Sequence, residues 1–138
     1  MERLSLDELE AGAGAYDRSV EASSDVDVFC SSSDWVVPAA RGLMPGRPPW
    51  IWREGEAFLG LARADQGDRP WLEPLEAMWG LACPAVGADV PAVAHLLGGA
   101  LAADGAGAAL VLCGLAPGSA RLRAVSYTHL TLPTILRV

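Results

Sequence analysis

The chain has 138 residues, a formal net charge of −7 and 51% hydrophobic content, a length that suits one domain with room for a buried core. Its acidity, with a pI near 4.6 and scattered arginines, argues against non-specific nucleic-acid binding, which needs clustered cations to neutralise phosphates. No apolar run of 18 residues is free of breakers, so no membrane-spanning helix is expected.

Ser5 and Glu8 have capping-box spacing, and Leu6, Leu9, Ala13, Tyr16 and Val20 recur on one helical face. Together they predict a helix through about Ala22. Gly12 and Gly14 each weaken it by about 1 kcal/mol relative to alanine, so it needs packing to persist. Ser23–Asp27 reads as a loop. Phe29–Trp35 leads into a second helix, capped by Ser32 or Ser33, with Pro38 near its first turn and an end by Gly42 or Met44. Trp50–Arg53 and Ala57–Ala62 flank Glu54-Gly55 and predict a hairpin. Asp65–Pro70 reads as a second loop. Trp71–Leu75 reads as a third strand, with Pro74 confined to an edge, a bulge or an end.

Residues 78–87 are apolar, punctuated by glycine and proline, and have no clear period. Asp89 is a good N-cap and Pro91 suits a first turn, so Val93, Leu96, Leu97, Ala100 and Leu101 line a helix to about Ala103. Asp104–Gly107 stop it. Ala109–Gly114 is a continuous apolar strand, which implies burial on both faces, and Pro117-Gly118-Ser119 begins a last helix. This order predicts a mixed α/β or α+β fold: a central mixed sheet with flanking helices.

Residues that could carry chemistry are few. Cys30, Cys83 and Cys113 form no Cys-x-x-Cys pair, and His95 is the one histidine before residue 125. No metal site is expected, and buried free thiols are the preferred reading. Gly12-x-Gly14 and Gly105-x-Gly107 lack the strand-to-helix context of a phosphate loop and read as turns. Cys30, ahead of three serines, sits where a helix N-terminus lowers a thiol pKa, but no histidine is placed to activate it. His95 lies among apolar residues as a packed or partly exposed helical histidine. Glu54 and Glu56 flank a turn glycine and read as solvated. Glu73 and Glu76, between Trp71 and Trp79, are the more interesting carboxylates, because a carboxyl against indoles can serve as a base. A strand-edge charge is the commoner use. Trp35, Trp50, Trp52, Trp71 and Trp79 suit either an aromatic wall or core packing. The catalytic residues are therefore unknown, and no cofactor-binding or metal-ligating residue is assigned. The acidic, amphipathic start is unlike a secretory signal, which gives a cytoplasmic location as the expectation.

The composition changes near the C-terminus. Residues 1–124 contain no Thr, Lys or Asn, whereas Thr128, Thr131 and Thr134 fall close together. Val125–Thr134 resembles the translation of a transposase sequencing adapter. Continuing that frame through one A, an index of about eight bases and GTG-TAG implies a restricted residue, two arbitrary ones, a valine and a stop, as in Ile135, Leu136, Arg137 and Val138. On this reading residues 125–138 are a non-native tail, His129 and the tail hydroxyls carry no function, and the natural sequence is interrupted after residue 124. The alternative is a threonine-rich strand, given the β-propensity of Tyr127, Thr128, Leu130 and Leu132.

From Phe29-Cys-Ser-Ser-Ser-Asp-Trp35 onward the chain resembles the FemAB/CelD-like branch of the GNAT N-acetyltransferase superfamily. The likeness continues through the hairpin, Glu73-Pro74-Leu75, the Gly-containing segment from Trp79 to Gly87, the helix Val90–Ala103, a strand, and Leu115-Ala-Pro-Gly-Ser119. It spans about residues 25–123. The resemblance implies that residues 1–124 are the N-terminal, GNAT-like half of a bacterial acyltransferase. That parent would move an acyl group from acyl-CoA to an unknown amine or hydroxyl acceptor. The acyl-CoA loop of such proteins, usually [QR]-x-x-G-x-[GA], has no match here, so the donor site is expected in a missing C-terminal half and the fragment is expected to be inactive alone. Two other readings stand beside it. One is a noncatalytic domain binding a protein partner through an exposed Trp-rich hairpin or the first helix. The other is a fragment with no independent fold, its strand Ala109–Cys113 lacking neighbours.

Overall fold

The computed structural model describes residues 1–127 and 134–136. The chain opens with a three-residue strand, β1 (Glu2–Leu4), which no sequence pattern signals. Ser5 then caps α1 (Leu6–Ala11): its Oγ accepts from Glu8 N at 3.1 Å, and Glu8 Oε2 accepts from Ser5 N at 2.7 Å. The expected single helix breaks at Gly12 and resumes as α2 (Ala13–Glu21), so the glycine cost falls where the helix kinks. The expected face is inward: Leu9, Tyr16 and Val20 are fully buried.

The second helix is also divided. Asp27 caps α3 (Val28–Ser31), accepting from Cys30 N at 2.8 Å, and α4 follows at Ser33–Pro38. Ser32 does not cap α4; instead Asp17 of α2 accepts from both Ser33 N (2.8 Å) and Ser33 Oγ (2.7 Å). Pro38 lies beyond the first turn, where its ring and missing N–H break the regular ladder. The helix answers by widening into a π-helical turn, Ala39–Leu43, which ends where expected.

β2 (Pro49–Glu54), β3 (Ala57–Gln66) and β4 (Arg69–Pro74) form an antiparallel meander. The first turn is Gly55-Glu56, with positive φ at Gly55 alone, the pattern of a type II′ hairpin. The expected loop at 65–70 is a correction: β3 runs to Gln66, and a two-residue turn at Gly67-Asp68 leads directly into β4. Pro74 is the last residue of β4, as its missing N–H requires. A two-residue strand, β5 (Ala85–Val86), returns to β3. Asp89 caps α5 (Val90–Asp104), β6 (Ala109–Leu112) is buried at all four positions, and Ser119 Oγ accepts from Leu122 N at the start of α6 (Ala120–Tyr127).

The strand order is β1-β2-β3-β4-β6-β7, where β7 is Thr134–Leu136 and β5 pairs with β3 off this path. The sheet is mixed, because β6 is parallel to β4 and to β7. β6 pairs with β4 on one side and on the other with β7, which falls within the 125–138 segment, so among residues 1–124 its second edge has no strand neighbour. Alternation along β2 and β3 sends Trp50, Trp52, Leu59 and Leu61 to one face and Ile51, Phe58 and Gly60 to the other. Trp50 Nε1 reaches Asp104 at the end of α5, while Phe58 meets Tyr16 of α2 edge-on at 5.4 Å between centroids. Helices therefore cover both faces, which is why β2 and β3 are buried throughout their middles. α6 runs continuously across residues 124 and 125, and Val125 is 1% exposed in the core. The sequence-level junction at that point leaves no break in the helix. His129, Thr128 and Thr131 lie outside the described residues.

Candidate functional site

β4 and β5 both approach the same edge of β3 and part at Gly60. Leu75 N donates to Gly60 O at 3.1 Å, and Gly60 N donates to Pro84 O at 2.7 Å. The chain between these two bonds, residues 76–83, leaves the sheet. Gly60 allows this close approach: a Cβ there would lie 3.3 Å from Leu75 Cδ1 and 3.7 Å from Tyr16 Oη. Arg47 fixes the departing end, with Nη1 2.7 Å from Glu73 Oε1 and Nη2 2.6 Å from Leu75 O. Glu73 is thus a paired carboxylate rather than a free base.

Glu76 is the residue that sequence reasoning placed wrongly. It is not a strand-edge charge but is 0% exposed, and its Oε1 accepts from Trp79 N at 2.8 Å. Its Oε2 has no hydrogen-bond partner among the described residues. Its place between Trp71 and Trp79 marks it as a carboxylate of interest, but the local pattern does not decide between burial and the commoner strand edge.

Beside the divergence lies a small polar ladder. Tyr16 Oη donates to Ser31 O at 3.0 Å, and Ser31 Oγ accepts from Cys83 N at 3.0 Å. Desolvation pushes the Tyr16 hydroxyl well above its usual range and pushes the Cys83 thiol up to about 11. Cys30 is half-buried rather than buried, a correction to its expected burial. Its thiol is raised, first by desolvation and then by the hydrogen bond and charge of Asp27 and the charge of Glu76. That is opposite to what a helix-terminal nucleophile needs. His95 faces solvent on α5, so it orients none of these groups.

A second polar cluster joins the sheet to the C-terminus of α5; of its residues the sequence draws attention to Trp50 as a candidate, but not to Asp104, Arg63 or Arg3 in this role. Asp104 Oδ2 lies 3.0 Å from Arg63 Nη2 and 3.2 Å from Trp50 Nε1, and it also receives Arg3 Nη1. Partial desolvation raises this carboxyl, but the Arg63, Trp50 and Arg3 partners outweigh it and hold it below its ordinary value. Arg63 Nη2, Arg3 Nη1 and Trp50 Nε1 all converge on Asp104, and Arg63 Nη2 also donates to its backbone carbonyl, so the cluster reads as a clamp.

The tryptophans divide by environment. Trp50 and Trp52 are core residues, 0% and 8% exposed, so the hairpin does not offer them to a partner. Trp79 is 60% exposed.

A cleft of about 400 Å³ lies between the β2–β3 turn and the start of α5, lined by Glu54, Glu56, Ala57, Gly87, Asp89 and Ala92 among others. Both turn glutamates are exposed, as expected. The cleft does not suit the pyrophosphate of an acyl-CoA. Three carboxylates line it, Asp89 Oδ1 already takes Ala92 N at 3.1 Å, and Pro91 has no N–H to offer. No group of three or more His, Cys, Asp or Glu among the described residues is arranged to hold a metal ion. No helix among them is long and apolar enough to cross a membrane.

Comparison with protein-family models, curated proteins and solved structures finds no match to this chain.

Proposed function

We propose that residues 1–124 are the N-terminal, GNAT-like half of an acyltransferase whose acyl-CoA site lies in sequence beyond this chain. The observation that carries the reading is the order of elements over residues 25–123. It runs through a serine-rich helix start, a hairpin, Pro74-Leu75, a glycine-containing segment, a long helix, a buried strand and the Leu115–Ser119 turn. The order agrees with that of the family the sequence resembles. The mismatch between the acidic cleft and a pyrophosphate supports placing the donor site elsewhere. The parent reaction breaks an acyl–sulfur bond, forms an acyl–nitrogen or acyl–oxygen bond, and passes the proton lost by the acceptor to the departing CoA sulfur, which leaves as the thiol.

The test is to read the genomic locus through the Arg123 codon without adapters, express the complete product, and follow thiol release from acetyl-CoA with a panel of amines. The complete product is expected to bind acetyl-CoA and release thiol, while the 138-residue chain does neither. A stop codon shortly after Arg123 would overturn the fragment reading. Thiol release by the 138-residue chain itself would overturn the placement of the donor site.

A further inference from the structure

The segment between β4 and β5 carries its polarity inside out. Glu76 is completely buried, with one oxygen unpartnered, whereas Met78, Trp79 and Leu81 are 52%, 60% and 53% exposed. Val28 and Phe29 of α3 are also exposed, at 45% and 67%. The two elements are tied together: Cys83 N donates to Ser31 Oγ at 3.0 Å. Single exposed apolar residues are ordinary, but large ones collected on adjoining elements mark an interaction surface. An interior carboxyl oxygen without a partner beneath the same loop adds a second cost, borne by the uncovered chain.

Charge identifies the occupant. Residues 70–120 contain no Arg or Lys. Asp27 and Asp34, on either side of Phe29 in sequence, are exposed. Such a face repels nucleic acid and anionic lipid. A second copy of this chain is a poor complement too. Among the described residues its other large exposed apolar side chains are Met1 and Leu43, and the nearby Arg3 and Arg41 are already paired with Asp104, Asp7 and Glu10. We propose that α3 and the 76–83 segment form a docking surface for a basic amphipathic segment of a partner protein, with Phe29 and Trp79 as its aromatic anchors. This surface stands independently of the acyltransferase reading.

The probe is a synthetic helical peptide of about 18 residues with leucine on one face and arginine on the other, compared with its leucine–glutamate counterpart. Titration into the full chain at physiological salt is followed by calorimetry and by tryptophan emission. The leucine–arginine peptide is expected to bind with a blue shift, and the glutamate peptide is not. The Phe29→Ser/Trp79→Ser variant, whose net charge is unchanged, should bind at least tenfold more weakly and lose the shift. Leu43→Ser, exposed elsewhere, should behave as the parent. Trp79→Ser alone is read if circular dichroism shows that the double variant does not fold. Equal binding by the serine variant would reduce the effect to bulk charge attraction and overturn the proposal. Absence of binding, or self-association that excludes the peptide, would overturn it as well.

Discussion

Arg121 is 1% exposed, and its Nε donates to Asp25 Oδ1 at 3.0 Å, joining α6 to the loop after α2. Its other nitrogens donate to Ala85 O at 3.0 Å and Gly87 O at 2.9 Å, so one guanidinium pins β5 and the turn that precedes α5. Arg121→Ala leaves a partly buried carboxylate without its cation and removes one donor each from Ala85 O and Gly87 O, which keep only the longer contacts from Cys83 Sγ (3.4 Å) and Ser23 Oγ (3.3 Å). Breaking a buried pair of this kind costs about 3–5 kcal/mol. Urea unfolding should show that loss, and Arg121→Lys should recover only part of it, because an ammonium cannot reproduce the planar fork. A variant as stable as the parent would mean that these bonds are replaced by water without penalty.

Tyr16 separates packing from hydrogen bonding. Its ring meets Phe58 at an interplanar angle of 87°, and its hydroxyl donates to Ser31 O. Tyr16→Phe keeps the ring contact and should cost about 1 kcal/mol, the net worth of one hydrogen bond. Tyr16→Ala removes both and should cost about 3–5 kcal/mol. Chemical denaturation of the two variants side by side tests the ratio. Similar losses for both would place the stabilisation in the hydroxyl.

Which elements could be read from the sequence follows from how local their causes are. Asp89, Pro91 and the apolar spacing from Val93 to Leu101 lie within one stretch, and α5 forms where they predict it. The capping box at Ser5 and the terminal position of Pro74 were legible for the same reason. β1 was not, because Glu2-Arg3-Leu4 becomes a strand only by pairing with Ile51–Arg53 of β2. The polar run Asp65–Pro70 has loop composition, yet tertiary pairing extends the strands to Gln66 and Arg69. Arg121 is held inside by partners distant in sequence, Asp25, Ala85 and Gly87, whereas the hydrogen bond of buried Glu76 is local, to Trp79 N. Charged residues in short amphipathic contexts look solvated from sequence. The buried Trp50–Trp52 pair shows the converse: tryptophan number is visible, but exposure is decided by which sheet face α5 covers.

Alkaline pH should destabilise the fold through Cys83. Burial is the largest influence on its thiol and raises it from 9.0 to about 11, against the lowering effects of Ala85 O and the Arg121 charge. Above pH 9 the unfolded chain gives up this proton while the folded chain keeps it, so stability falls as pH rises. The contribution is complete below pH 9 and lost by about pH 11, at most of the order of 3 kcal/mol. Tyr16, raised from 10.0, adds to the decline at higher pH. Cys83→Ala should therefore flatten most of the fall between pH 9 and 10 in a urea-midpoint series. An unchanged slope would mean that the thiol is reached by water in the folded chain.

Gly114 tests how rigidly the chain after residue 80 is held. Its φ is +64°, and a Cβ there would lie 2.5 Å from Leu81 O and 2.6 Å from Cys83 N. Both are backbone atoms, so no side-chain rotation relieves the clash. Gly107 has a similar φ of +79° with nothing within 4 Å. Gly107→Ala thus isolates the left-handed backbone cost, about 1–2 kcal/mol. Gly114→Ala should add about 1–3 kcal/mol of overpacking and displace residues 81–83. Unfolding midpoints give the difference, and a changed emission of the nearby exposed Trp79 would report the displacement. Equal losses for the two variants would show that the 81–83 backbone yields freely, and with it that the inverted segment above Glu76 is held by its own turns rather than by β6.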